Sequence, residues 1–335
     1  MSKVLAINLK RHGDILSSAK AIRALKNSHP HSQIELVIYE EFKKSAKILK
    51  DVSKIHTINR NKFLTLKKHD IYSDSFAIDY LYKEIYPLKK EDWEHVAILS
   101  QDKVSAYLCS HLKFNSKFNV SGFYFDRSHT LKHCNQWSLV INEETLFSHL
   151  PIYSYCDNVS LMIGQQGKDT GDYFKINEKH EQTVKRNYEQ LRGQSNQRKK
   201  LIGVQLKSSR LDKELPKEKL IESLSDIQKS SHYYPILIIA PNDKERQFAK
   251  EINESLEKKT VVIECDFVAA VSVIKNLDLL ITPDTAIKHL ADGLGTSSIE
   301  LVLGRSPMFF QSSTYPNSLI VDLRYHSLDQ SFRLN

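Results

Sequence analysis

Three short segments of this 335-residue chain carry side chains able to do chemistry, and each follows an apolar run. The first is Asn8-Leu9-Lys10-Arg11-His12-Gly13-Asp14, after Val4-Leu5-Ala6-Ile7. A carboxylate at the carboxyl end of a strand can act as a general base toward a substrate hydroxyl, which makes Asp14 a candidate. Gly13 permits a tight turn or close ligand approach. Lys10 and Arg11 either steer an anionic ligand or are simply solvated. The competing reading of Asp14 is a helix cap, a position that favours Asp.

The second segment is Lys207-Ser208-Ser209-Arg210-Leu211-Asp212-Lys213-Glu214-Leu215-Pro216. Hydroxyls at Ser208 and Ser209 donate hydrogen bonds, and a cation such as Lys213 neutralises charge, so the loop suits a phosphate group. An ordinary polar surface loop has the same composition. The third, Ile281-Thr282-Pro283-Asp284-Thr285-Ala286-Ile287-Lys288-His289-Leu290, reads as a strand entering a helix. Helix starts attract anions through their N–H groups and positive dipole end. Asp284 would repel phosphate directly, so its expected use is indirect, in holding N–H groups, an acceptor or a nearby cation. His289 lies one turn after Thr285 and either points back toward the same ligand or serves a structural hydrogen bond.

The elements that must position these loops alternate. Strands are expected at Val4 to Asn8, Ile34 to Tyr39, Ile55 to Ile58, Trp93 to Leu99 and Phe118 to Phe123, with helices over Ile15 to Leu25, Phe42 to Leu49 and Val104 to Leu112. Residues 62–92 look irregular and tyrosine-rich, as a mobile or partner-facing insertion would. Gly164, Gly167 and Gly171 mark an exposed boundary. Strand and helix then resume from Glu178 to Leu303. The expectation is an α/β protein of two Rossmann-like domains, residues 1–165 and 175–323 with a tail at 324–335, facing each other across a cleft. Ligands in such sheets sit at the carboxyl ends of the strands.

Bulk properties agree. Apolar residues make up 41% and charged residues 26%, as in a globular protein. The longest apolar runs are strand-sized, and the beginning of the chain lacks a signal-peptide pattern, so a cytoplasmic location is expected. Cys109, Cys134, Cys156 and Cys265 are scattered like reduced structural thiols. The net charge is +8; residues 1–170 hold 24 Lys/Arg against 18 Asp/Glu, and residues 171–335 hold 24 against 22. A basic face attracts phosphate-rich partners, although a solvated surface gives the same count. His129, His133 and Cys134 have helix-compatible metal spacing without a complete ligand set, so no metal site is expected. GxGxxG after the first strand, GxxxxGK[ST] and GxSxG are absent, which disfavours nicotinamide-dependent, P-loop and hydrolase readings.

Taken together the three loops resemble the signature of glycosyltransferase family 9, which includes the ADP-heptose:lipopolysaccharide heptosyltransferases. Gly13-Asp14 and Ala19 to Leu25 are similar to its opening turn and helix, Asp212-Lys213 with Pro216 to its Asp-Lys-x-x-Pro segment, and Asp284-Thr285-Ala286, His289-Leu290 and Leu294-Gly295 to its closing motif. The resemblance implies a GT-B-type fold and inverting, metal-independent transfer of a heptose-like sugar from a nucleoside diphosphate, ADP-heptose, without a cofactor. The implied acceptor is a lipopolysaccharide core or other anionic lipid-linked glycan, met by peripheral contact at the inner face of the cytoplasmic membrane; nucleic acid is not expected.

By the same resemblance Asp14 is the general base, and Ser208, Ser209 and Lys213 contact the donor phosphates, Lys213 stabilising the leaving group. Glu245 meets the donor ribose, Cys265 and Asp266 lie where main chain meets adenine, and Asp284, Thr285, Ala286 and His289 complete the donor side. Lys10, Arg11, His12 and Gly13 belong to the acceptor side. Three departures stand out: Ala286 in place of Gly, Lys10-Arg11-His12 in place of a Ser-rich turn, and Asp292 within the usual alanine run. They leave open an alternative, a catalytically silent member that binds a nucleotide sugar or glycan.

Overall fold

The computed structural model describes residues 2–112, 119–126, 128, 130–147, 154–164, 172–193, 198–304 and 317–324. The chain divides into two compact units, Met1–Tyr173 and Phe174–Asn335. Gly167, Gly171, Phe118, His129 and the tail beyond Arg324 lie outside the described residues.

The first unit is built on a parallel sheet of β1 (Lys3–Ile7), β2 (Gln33–Tyr39), β3 (Lys54–Ile58), β4 (His95–Ile98) and β5 (Val120–Ser121), in the order β3-β2-β1-β4-β5. Val4, Leu5, Ala6 and Ile7 are all at most 1% exposed, because a central parallel strand is covered on both faces. Strand order reverses between β1 and β4, the place where the loops leaving two strands diverge and open a crevice. The Asp14 loop leaves β1 at that point.

The single helix expected over Ile15 to Leu25 is two, α1 (His12–Ser17) and α2 (Ala19–Ser28), joined at Ser18. Ser17 Oγ donates to Asp14 O at 3.0 Å and Ser18 Oγ to Ile15 O at 2.8 Å, so hydroxyls occupy carbonyls of the first turns and favour a break there. A 3-10 turn, Glu40–Phe42, leads into α3 (Lys43–Lys47).

Residues 62–92 are not irregular. They form most of α4 (Arg60–Lys67) and all of α5 (Ser73–Lys89). Ala77, Tyr80, Leu81, Ile85 and Leu88 are buried at helical spacing, whereas Tyr72, Tyr82 and Tyr86 are exposed. Tyrosine on both faces hid the period from a reading based on hydrophobicity.

Beyond β4, α6 (Lys103–Ser110) is followed by β5 and then by an antiparallel ribbon, β6 (Phe123–Phe125) with β7 (Leu131–His133). The expected strand ending at Phe123 is split at Gly122, where φ is +112° and a Cβ would lie 2.8 Å from Ile98 Cβ. Two helices with no counterpart in the sequence reading follow, α7 (Gln136–Phe147) and α8 (Tyr155–Met162); α8 packs on α2, where Lys20 Nζ meets Asp157 Oδ1 at 2.5 Å.

The second unit repeats the scheme with β8 (Lys200–Gln205), β9 (Tyr233–Ile239), β10 (Val261–Glu264), β11 (Leu279–Pro283), β12 (Ser298–Val302) and β13 (Ser318–Asp322), ordered β10-β9-β8-β11-β12-β13 and parallel throughout. Its helices are α9 (Glu178–Arg192), α10 (Lys217–Lys229), α11 (Asp243–Ser255), α12 (Phe267–Lys275) and α13 (Ala286–Leu294). Here the reversal lies between β8 and β11, and the Lys207 and Asp284 segments leave those two strands. One core cluster runs from Ile202 and Val204 on β8 through Leu237 and Ile239 on β9 to Leu220, Leu224, Ala249 and Ile252 on α10 and α11. Gly295 ends α13 with φ +72°, the left-handed cap that glycine supplies.

Candidate active site

In the first unit the loop after β1 is shaped by Asn8, which sequence reasoning left out of the site. Its buried Nδ2 donates to Asp14 O at 3.1 Å and Ser18 Oγ at 3.2 Å, and its Oδ1 accepts from Lys10 N at 3.3 Å. A polar side chain closing an apolar strand was the signal available. Asp14 occupies the third position of α1, and its Oδ2 accepts from Arg11 N at 3.1 Å, so it does act as a cap in the sense of reaching back to the helix start. Burial, the largest influence, raises its pKa against the opposing pull of that bond and of Lys10. A carboxylate whose basicity is raised, at the carboxyl edge of the sheet, is suited to accept a proton.

The neighbouring residues divide. Gly13 sits in the first turn of α1 and is absent from the left-handed region, so it makes no left-handed turn there. His12 is turned inward, with Nδ1 3.0 Å from Ser45 Oγ and its ring edge-on to Phe42, and burial lowers its pKa. Lys10 and Arg11 are exposed.

In the second unit Lys213 and Asp284 form an ion pair, with side chains 15% and 12% exposed. Lys213 closes a 3-10 turn, Leu211–Lys213, and Asp284 lies just past β11. Of the indirect uses expected of Asp284, in holding N–H groups, an acceptor or a nearby cation, the pair with Lys213 matches the last. Thr285 is the N-cap of α13, but its hydroxyl donates to Gln205 Oε1 at 2.6 Å and makes no capping bond. Gln205 Oε1 also accepts from Thr282 Oγ1 at 2.7 Å, tying the end of β8 to the start of α13. Gln205, again a polar residue ending an apolar strand, is a second positioning residue not read from the sequence.

His289 has a buried Nδ1 with no hydrogen-bond partner among the described residues. Burial first, then the cations Lys288 and Lys213, hold its pKa down to about 3 against the pull of Asp284. It is therefore a neutral imidazole at physiological pH. Lys213, Asp284, Thr285 and His289 are brought together, and the arrangement presents a held cation and a helix N-terminus to an anion.

The rest of the Lys207 loop braces itself. Glu214 accepts from Lys207 Nζ at 2.8 Å and from Ser208 N at 3.0 Å, and Arg210 pairs with Asp212 at 2.5 Å. Ser209 is exposed. The carried-over donor residues of the outer strands have local duties: Glu245 accepts from Ala240 N at 2.7 Å and Asn242 Nδ2 at 3.0 Å at the start of α11, and Asp266 accepts from Val268 N at 3.1 Å as the cap of α12. Cys265 is buried, which pushes its thiol up to about 12 and makes it inert. Each carboxylate oxygen keeps further lone-pair capacity for a ligand.

Asp292, the residue that interrupts the alanine run, has a physical account. Lys288, 2% exposed, reaches Asp292 Oδ2 at 3.1 Å and Glu300 Oε2 on β12 at 3.5 Å. A lysine buried on α13 requires such a counter-charge, which Asp292 supplies. His133 and Cys134 do not sit on a helix: His133 is on β7 with Nδ1 3.1 Å from Ser138 Oγ, and Cys134 Sγ accepts from Gly122 N at 3.0 Å. No group of three His, Cys, Asp or Glu side chains among the described residues could hold a metal ion.

Comparison with known proteins now decides the family. The model of glycosyltransferase family 9 (heptosyltransferase) matches residues 122–326, more than half of the chain. The chain belongs to glycosyltransferase family 9. It is therefore a glycosyltransferase, and the resemblance drawn from the three loops holds. Family 9 membership agrees with the fold. A family 9 glycosyl transferase from Veillonella parvula aligns over 99% of this chain and 88% of its own, with a TM-score of 0.73 at 15% identity. The E. coli heptosyltransferase WaaC with ADP-2-deoxy-2-fluoro heptose aligns over 95% and 92%, with a TM-score of 0.64 at 16% identity. E. coli ADP-heptose lps heptosyltransferase II gives 95% and 90%, 0.64 and 13%. These likenesses establish the GT-B-type fold. No curated protein sequence matches the chain.

Proposed function

We propose that this family 9 enzyme transfers a heptose-like sugar from ADP-heptose to a lipopolysaccharide core or another anionic, lipid-linked glycan, with inversion at the anomeric carbon. The observation that carries the reading is the Lys213–Asp284 pair at the positive end of α13. A cation fixed by a carboxylate beside a helix N-terminus suits the negative charge of a departing nucleoside diphosphate. Two structural neighbours are named with ADP-heptose or an ADP-heptose analogue, which supports that donor.

In the proposed step Asp14 accepts the proton of the acceptor hydroxyl as its oxygen bonds to the anomeric carbon. The bond to the diphosphate breaks, and its electrons leave with ADP. Lys213 and the first turn of α13 take up the developing charge, so that no metal ion is needed. Neutral His289 offers a hydrogen bond to the same anion, Ser208 and Ser209 add hydroxyl donors, Glu245 meets the ribose, and the main chain at Cys265 and Asp266 meets the base. Ala286 stands at the closest approach of the phosphates. Lys10, Arg11, His12 and Gly13 border the acceptor. The enzyme works in the cytoplasm at the inner face of the membrane.

The test is transfer by Asp14→Ala and Lys213→Ala proteins that melt as the wild type does. Near-normal transfer by both would sink the mechanism. A thermal-shift screen with ADP-, UDP- and GDP-sugars tests the donor: stabilisation by ADP-sugars above the others is expected.

A further inference from the structure

Half of the large apolar side chains exposed among the described residues, seven of fourteen, lie between Leu64 and Tyr86. Scattered exposed hydrophobes need no explanation, whereas a contiguous group marks a surface with a partner. Helix α5 is apolar on two sides. Its inner side packs through Tyr80, Leu81, Ile85 and Leu88, and its outer side carries Ile78, Tyr82 and Tyr86 at intervals of four, which places them in one stripe. The stripe continues sideways: the His111 ring lies 5.9 Å from Tyr82, and Tyr107 4.5 Å from His111. At the start of α5, Tyr72 and Phe76 cluster with His69, and Ile71 beside them is 76% exposed.

The charges that lie over the rings of the stripe are cationic. Lys89 Nζ lies 4.0 Å from the Tyr82 ring centroid and Lys90 Nζ 4.8 Å from that of Tyr86. Residues 52–69 contain five Lys/Arg and no Asp or Glu, and residues 52–90 contain eight against four, which supplies half of the chain's net +8. Of the carboxylates on this side of α5, Asp79 is paired with Lys83 at 2.7 Å, and Asp74 lies one turn before Ile78 at the start of the stripe.

We propose that the outer face of α5, with the adjoining parts of α4 and α6, docks onto an anionic phospholipid bilayer. The inference deepens the reading of a lipid-linked acceptor, and rests on it for why a bilayer should be met at all. Tyrosines seated at headgroup depth with lysines reaching past them to lipid phosphates match an interfacial helix. The cores of protein interfaces are instead depleted of lysine, which argues against a protein partner. Each lysine near an anionic surface adds to the attraction, and the attraction falls with salt.

The experiment is co-sedimentation of the whole protein, without donor or acceptor, with vesicles of phosphatidylethanolamine and phosphatidylglycerol and, separately, of phosphatidylcholine. Binding to the anionic vesicles at least ten-fold stronger than to the neutral ones is expected, weakening as salt is raised. A Tyr82→Ser/Tyr86→Ser protein and a Lys89→Glu/Lys90→Glu protein should each lose ten-fold or more while melting within a degree or two of wild type. No partition onto the anionic vesicles, or unchanged partition of both doubly substituted proteins, overturns the proposal. So does a wild-type dimer in light scattering that the Tyr82→Ser/Tyr86→Ser protein lacks, because the face would then belong to a second copy. Since neither donor nor acceptor is present, a failure here is distinct from a failure of glycosyl transfer.

Discussion

Asp14 has two duties, and they pull its charge in opposite directions. As the residue that reaches back to Arg11 N it contributes to the start of α1, while burial raises its pKa and makes the charged form costly. The sign of the linkage follows: a carboxyl whose folded pKa is raised contributes stability below its unfolded pKa and loses it as pH rises through the folded one. Asp14→Asn keeps an oxygen for Arg11 N and removes the buried charge. The substituted protein should melt at or above the wild-type temperature at pH 7.5 and yet turn over about 10²–10⁴-fold more slowly. Calorimetry with a transfer assay checks both halves, and a large fall in melting temperature would assign Asp14 a structural role alone. In wild type the rate should fall as pH drops through the raised pKa, because only the carboxylate can take the proton.

Helix α13 shows what an element contributes to a site. Lys288, Asp292 and Glu300 are nearly inaccessible, and they join the helix that begins at Thr285 to strand β12. Lys288→Met leaves Asp292 buried without that cation and should cost about 3–5 kcal/mol of stability, read from urea denaturation. Burial, with Asp284 and Asp292 adding, pushes Glu300 up to about 8 despite Lys288. Stability from that proton should therefore decline as pH rises from the ordinary carboxylate range to about 8, and Glu300→Gln should flatten the decline in melts from pH 5 to 9. Little of this trio was legible in the sequence, since Lys288 and Glu300 are remote in number and only Asp292 broke a pattern. Strands such as β1 and β9 were legible because buried parallel strands are continuous apolar runs, while α5 was not, because tyrosines stand on both of its faces. The three loops were found as polar ends of such runs, but Gln205, Asn8 and Glu214, which shape them, have roles that only hydrogen bonds reveal.

At the scale of the whole molecule, the proposed mechanism gives two units of like topology unlike chemistry, and substitutions in each should change different constants. Lys213 and Asp284 belong wholly to the second unit, and the proposed base belongs wholly to the first. Lys213→Ala removes the proposed charge-assisted contact to the leaving diphosphate, of the kind that contributes roughly 1.5–3 kcal/mol, and so should weaken ADP binding about 10- to 100-fold. It also deprives Asp284 of a partner, so its melting temperature should fall without ligand. Asp14→Asn should leave ADP affinity within about two-fold of wild type, because nothing on the donor side is altered. Isothermal titration of both proteins with ADP separates these effects. If ADP affinity falls as far in Asp14→Asn as in Lys213→Ala, the division of labour is wrong: the carboxylate of the first unit would then be serving the donor, and the proton of the acceptor hydroxyl would need another base.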